Sequence, residues 1–166
     1  MNELERHLVL VGAGHSHIEV LRRLAMAPEP GLRVTLVTDS LWATYSGMVP
    51  EVVADGLPRE ALSIDVWPLA RRAGATVVHA TLVGIDPQRQ RLSLAGRPEL
   101  AYDLCSLDIG STVAGADLPG VREYALATRP LAGLLDGVDA LRGASLAVVG
   151  GGAAGVELAC ALRGRD

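Results

Sequence analysis

Leu8-Val9-Leu10-Val11-Gly12-Ala13-Gly14-His15-Ser16-His17-Ile18 decides the fold. A continuous apolar run ends at glycine, and Ile18, Leu21, Leu24 and Ala25 then recur at helical spacing until Pro28, Pro30 and Gly31 stop them. The pattern predicts strand, tight turn and helix. Arg33-Val34-Thr35-Leu36-Val37 supplies a second strand, so residues 8–37 form a β-α-β unit with parallel strands and a right-handed crossover. Strands covered on both faces read as apolar runs instead of alternating, which places the chain in the α/β class.

Downstream, residues 40–63 show no clean period and contain Gly47, Pro50, Gly56 and Pro58, which predicts a long irregular excursion. Asp65 is placed to cap a short helix from Val66 to Ala73, and Thr76 to Ala80 reads as a third strand. Three strand-like pieces follow, Leu82–Ile85, Arg91–Leu94 and Leu100–Leu104, with Asp86-Pro87 and Ala95-Gly96 as turns. They predict an inserted β-meander. Leu104 to Ile109 returns to an apolar run ending at Gly110-Ser111. The glycine- and proline-rich residues 111–143 read as a connection with one short helix around Leu131, Leu134 and Leu135. Ala144 to Val149 then predicts a second strand, followed by the turn Gly150-Gly151-Gly152-Ala153-Ala154-Gly155 and a helix bearing Val156, Leu158, Ala159 and Leu162.

Composition narrows the function classes. Apolar residues make up 49% of 166 and phenylalanine is absent, so the core must be aliphatic. A net charge of −4 gives no field that would draw nucleic acid or an anionic membrane. Cys105 and Cys160 lack a second cysteine at redox or metal spacing, which predicts two buried structural thiols and no metal site. Met1 to Glu5 carries acid where a secretory signal carries base, and no apolar run reaches the ~18 residues of a membrane span. The expectation is a cytoplasmic protein without a transmembrane segment, with peripheral membrane attachment left open for the full-length protein.

The chemistry resides in the two glycine turns. Glycine lets the backbone approach a ligand where a strand turns into a helix, and the helix end offers free N–H groups with a partial positive charge. A pyrophosphate fits there. The first turn has Gly12 and Gly14 at positions one and three of G-x-G-x-x-G but His17 at position six; Gly150, Gly152 and Gly155 complete the pattern in the second. Asp39 stands near the end of the second strand, where an acid would bind the hydroxyls of an adenosine ribose, with Thr38 competing for the role. His15 and His17 either add donors to the phosphates or sit at the helix surface. Glu157 is either a polar group on the nicotinamide side or an ordinary helix residue.

Taken in order, the first turn, the meander, Asp108-Ile109-Gly110-Ser111, Leu118-Pro119-Gly120 and the second turn with Val156-Glu157-Leu158-Ala159 resemble the FAD-dependent pyridine nucleotide-disulfide oxidoreductase superfamily. Within it, Gly12 to His17, Thr44 to Pro50 and Tyr102-Asp103-Leu104 resemble the NADH-dehydrogenase-like flavoproteins found alone or fused to selenophosphate synthetase. His17 in place of the third glycine is usual in that group. The resemblance implies a Rossmann-like FAD-binding domain over residues 1–110, an inter-domain connection over 111–143, and the start of an NAD(P)-binding domain over 144–166. It assigns FAD to Gly12, Ala13, Gly14, His15, Ser16, His17, Thr38, Asp39, Tyr45, Ser46, Gly47, Met48, Thr81, Leu82, Ile109, Gly110 and Ser111. Gly150, Gly152, Gly155 and Glu157 go to NAD(P)H in the full-length protein.

Without a C-x-x-C or C-x4-C pair, disulfide-reductase chemistry is not expected. What the resemblance implies is hydride transfer from NAD(P)H to FAD and on to a small-molecule acceptor, a quinone among them, with no protein nucleophile and hence no catalytic residue named. With Asp166 as the last residue, the chain is expected to be the N-terminal part of such an enzyme, inactive alone, and a homo-oligomer is compatible with it. Two other classes stay open: a single-nucleotide α/β enzyme, as an NAD-dependent dehydrogenase or a methyltransferase, and a non-catalytic flavin-binding module.

Overall fold

The computed structural model describes residues 5–165; Met1 to Leu4, on which the reading of the N-terminus rests, and Asp166 lie outside the described residues. In chain order the elements are β1 (Arg6–Val11), α1 (His15–Met26), β2 (Leu32–Thr38), β3 (Trp42–Thr44), α2 (Val49–Val53), β4 (Ser63–Asp65), α3 (Val66–Arg72) and β5 (Thr76–His79). They continue with β6 (Leu82–Asp86), β7 (Arg91–Leu94), β8 (Leu100–Ala101), β9 (Leu104–Leu107), α4 (Val121–Tyr124), α5 (Leu131–Val138) and α6 (Ala153–Arg163). The chain divides into two compact units, residues 1–43 with 64–110 and residues 44–63 with 111–166. The two-stranded ribbon of β3 and β4 spans the crossing points.

Unit 1 is built on a parallel sheet of order β5-β2-β1-β9. Each strand exposes alternate side chains to opposite faces, and both faces are covered. Leu10, Val34 and Leu36 pack with Leu21 of α1 and with Val66 and Ala70 of α3. Val9, Val11 and Val37 pack on the other face with Leu92 and Leu94 of β7. The antiparallel sheet β6-β7-β8 is thus the lid of the second face. Burying a leucine such as Leu10 or Leu36 completely contributes about 2–3 kcal/mol, so the aliphatic composition suffices for this core. Asp65 caps α3 by accepting from the Trp67 amide, as its position predicts. The third meander strand is shorter than expected, and Leu104 instead opens β9.

A buried histidine makes this unit sensitive to pH. His7 is 5% exposed, and its Nε2 lies 2.8 Å from Thr35 Oγ1. Burial, and then the charge of Arg33, push its pKa below the ordinary 6.5. In the unfolded chain the imidazole takes its proton near pH 6.5, whereas the folded core refuses it until lower pH. Stability should therefore be complete above that pH and fall on acidification by at most about 1.4 kcal/mol per pH unit until the folded pKa is reached. Urea midpoints taken from pH 7.5 to 5 check this: His7→Leu should remove that part of the slope, and an unchanged slope would refute it.

Unit 2 has its own aliphatic core, from Val49, Val52 and Val53 of α2, Leu62, Leu134, Leu135 and Val138 of α5, and Leu158 and Ala161 of α6. Three arginines strap it. Arg59 bonds Asp136 at 3.1 Å and Asp139 at 2.8 Å, Arg142 bonds Asp55 at 2.7 Å, and Arg165 contacts both Asp55 and Asp139. Arg59 first, and Arg165 with it, pull Asp139 down to about 2, so its charge persists far into acid.

Three expectations fail in this unit. Residues 40–63 are not an unstructured excursion, because they hold α2 and short 3-10 turns at Ser46–Met48 and Arg59–Leu62. The apolar run 144–149 forms no strand, and Val149 is 98% exposed. A parallel strand exists only through hydrogen bonds to a neighbour, and among the described residues none lies beside it. Cys160 is exposed, not buried; Cys105 is half-buried, and burial raises its thiol pKa. No helix among the described residues is long and apolar enough to cross a membrane, and no group of three metal-binding side chains occurs among them.

Candidate functional site

Three strands of unit 1 end level, since Val11 is paired with both Val37 and Leu107. The carboxyl edge of a parallel sheet is where loops can close around a ligand. Here Gly12 leaves β1 with φ +88°, its amide donating to the Val37 carbonyl at 2.8 Å. A side chain on Gly12 would overlap the backbone carbonyl of Asp108, so close approach as well as dihedral angle demands glycine. Gly14 is the N-cap of α1; it offers no side-chain cap, and the first turn of the helix holds no acid.

The anion comes from elsewhere. Asp108 follows β9, is fixed by its amide to the Val11 carbonyl at 2.8 Å, and its Oδ2 accepts from the amides of Ser16 at 2.9 Å and His17 at 3.2 Å. A methyl on Gly14 would overlap this carboxylate. Among the described residues, the Ala13 and Gly14 amides donate to no protein acceptor. The turn therefore presents backbone donors, no obstructing side chain and a seat that already takes an oxyanion, which suits a diphosphate.

His17 does not sit at the helix surface, one of the two roles expected for it. It is 1% exposed, with Nδ1 2.7 Å from the Gly12 carbonyl and Nε2 2.9 Å from Ser106 Oγ. A carbonyl only accepts, so the ring donates through Nδ1. Both nitrogens are spent on bracing the turn against β9. His15 and Ser16 are exposed at the start of α1.

At the end of β2, Thr38 is the last strand residue and buried, its hydroxyl donating to the Ser40 carbonyl at 2.8 Å. Asp39, one step on, is exposed, and its carbonyl accepts from His79 Nε2 at 2.9 Å. Thr81 is exposed and accepts through its carbonyl from Ala95, while Leu82 packs under the meander. Ile109 is exposed, and Gly110 has φ +80° with open space around it.

The remaining candidates belong to unit 2. Ser46, Gly47 and Met48 form a 3-10 turn after Tyr45, whose amide donates to the Leu62 carbonyl at 2.8 Å; Gly47 lies against the Tyr45 ring, and Met48 packs on the unit's core. Ser111 also falls in this unit. Gly150 has φ +123°, Gly152 caps α6, and a side chain on Gly155 would overlap the Gly150 carbonyl. Glu157 is exposed on α6. The structure thus gathers Gly12–His17, Thr38, Asp39, Ile109 and Gly110 in unit 1, together with Ser106, to which the sequence reading gave no role, and Asp108, which it placed only within the 108–111 motif.

Comparison with known proteins bears on the family and the fold. The sequence profile described as pyridine nucleotide-disulphide oxidoreductase matches residues 6–165. A probable ferredoxin reductase, CtmF, of Castellaniella defragrans is 28% identical over 169 residues, 99% of this chain and 41% of its own length. The chain spans about two fifths of that curated relative. Among solved structures, the water-forming NADH oxidase of Lactobacillus brevis bound to NADH has a TM-score of 0.78 at 20% identity, over 97% of this chain and 38% of that one. The sulfide:quinone oxidoreductase of Aquifex aeolicus has a TM-score of 0.62 at 23% identity, over 71% and 27%. Both likenesses bear on the fold, a Rossmann-like α/β architecture. With the family profile covering the chain from β1 through α6, the protein belongs to the pyridine nucleotide-disulphide oxidoreductase family.

Proposed function

We propose that the chain is the FAD-binding part of an NAD(P)H oxidoreductase that passes hydride from nicotinamide to FAD and on to an acceptor. The observation that carries this reading is the Gly12–Gly14 turn at the carboxyl edge of the parallel sheet, with α1 amides already set on an oxyanion. In this reading the backbone of Gly12 to His17 holds the pyrophosphate. Asp39 takes the ribose hydroxyls, because Thr38 is buried and its hydroxyl is engaged with Ser40. Tyr45 to Met48, Thr81, Leu82 and Ile109 to Ser111 contribute further FAD contacts. Residues 1–110 form the first FAD segment, 111–143 a connection, and 144–166 the start of the nicotinamide domain, with Gly150, Gly152, Gly155 and Glu157 on the NAD(P)H side.

When bound, the flavin supplies the redox chemistry; the protein orients it and keeps competing reactions out. In this reading the step needs no protein nucleophile, and Cys105 and Cys160 are free thiols. The acceptor in this reading is a quinone or other small molecule. A ferredoxin-type protein is a second acceptor class, since the curated relative is named a probable ferredoxin reductase.

The full-length protein should purify yellow, release about one FAD per chain on denaturation, and oxidise NADH or NADPH with a quinone or dye. A colourless protein that takes up no flavin on reconstitution would overturn the proposal. Flavin binding without any oxidation of NADH or NADPH would leave a non-catalytic flavin module.

A further inference from the structure

The carboxylate at the start of α1 has a consequence for ligand binding. Asp108 is half-buried, and its hydrogen-bond donors among the described residues are two amides, Ser16 and His17, in the first turn of a 12-residue helix. No arginine side chain forms an ion pair with it among the described residues. The helix end that meets this carboxylate carries the same partial positive charge that would draw a phosphate. The contact with Gly14 is so close that not even a methyl group fits between. Two anions cannot share these amides.

We propose that Asp108 is a built-in competitor of the dinucleotide, holding the phosphate seat until a diphosphate displaces it and so setting the affinity for cofactor. This rests on the reading of the turn as a dinucleotide site. The carboxylate keeps the helix end satisfied while the ligand is away, and its displacement and repulsion weaken every ligand that brings a diphosphate. A ligand without phosphate does not meet this penalty.

Asp108→Asn tests it. The amide oxygen still accepts from Ser16 and His17, so the cap is kept while the charge is removed. Titration of FAD, ADP and riboflavin into the full-length protein stripped of its flavin, followed by flavin fluorescence and calorimetry, should show the variant binding FAD and ADP about tenfold tighter, with riboflavin unchanged. Asp108→Ala serves as a second variant should Asn disturb the turn, with circular dichroism to confirm folding. Wild-type protein that binds FAD while neither variant binds it tighter would overturn the competitor role and leave the FAD reading standing. An equal gain for riboflavin would also overturn it, because the change would then be a general loosening. No binding of FAD or ADP by wild type and variants alike would overturn both.

Discussion

Replacing Gly12 by alanine is expected to lower the thermal midpoint of unit 1 by more than about 10 °C, from a loss of about 3 kcal/mol. Two costs combine. The residue has φ +88°, a region that costs an L-residue about 1–2 kcal/mol. The new methyl would also overlap the carbonyl of Asp108, which is backbone and cannot rotate away. Relief requires β1 and β9 to separate where Val11 pairs with Leu107 and where the Asp108 amide donates to the Val11 carbonyl. Gly110 is the internal control: its φ is +80°, yet nothing lies near the position of an added methyl. Gly110→Ala should therefore show the dihedral cost alone, about 1–2 kcal/mol. Thermal and urea unfolding of the two variants give the comparison. Equal destabilisation would show that the close approach at Gly12 carries no weight.

Local signals were enough for unit 1. The apolar runs of β1 and β2 are readable because both faces of a parallel sheet are covered, here by α1 and α3 on one side and β7 on the other. Asp65 was readable as a cap because capping acts over two residues. Residues 144–149 carry the same apolar signature as β1 and form no strand, since the signature reports burial whereas pairing needs a partner that no local pattern contains. The helix α2 escaped detection for the opposite reason. Its five residues show Val49, Val52 and Val53 at helical spacing, but one turn that itself contains Pro50 is too short to establish a period.

The glycine turn was legible because its requirement is written in its own residues. What surrounds it was not. Asp108 reaches the amides of Ser16 and His17 across about 90 positions of sequence, and only the pairing of β9 with β1 brings it there. The surroundings of Thr38 and Asp39 likewise depend on a strand boundary: β2 ends at Thr38, whose hydroxyl donates into the Ser40 turn, and Asp39 is exposed.

His17 shows most sharply how a motif position can mislead. The sixth position of G-x-G-x-x-G is ordinarily glycine to allow close helix–strand packing, so His17→Gly would complete the pattern. It is expected to destabilise unit 1 by about 3 kcal/mol instead. The ring fills the space between α1 and β9, and its loss forfeits the bonds to the Gly12 carbonyl and Ser106 Oγ, each worth about 1 kcal/mol. A cavity takes the place of a side chain that is 1% exposed. Glycine in the first turn of α1 adds about 1 kcal/mol relative to alanine, so His17→Ala should recover that amount and no more. Urea unfolding of both variants measures the series, and FAD titration should show weaker binding in each, because the Gly12 carbonyl that the ring braces belongs to the turn itself. A glycine variant as stable as the wild type would mean that His17 merely tolerates its position, and the brace between α1 and β9 would then have to be sought in the backbone contact of Gly12 with Asp108 alone.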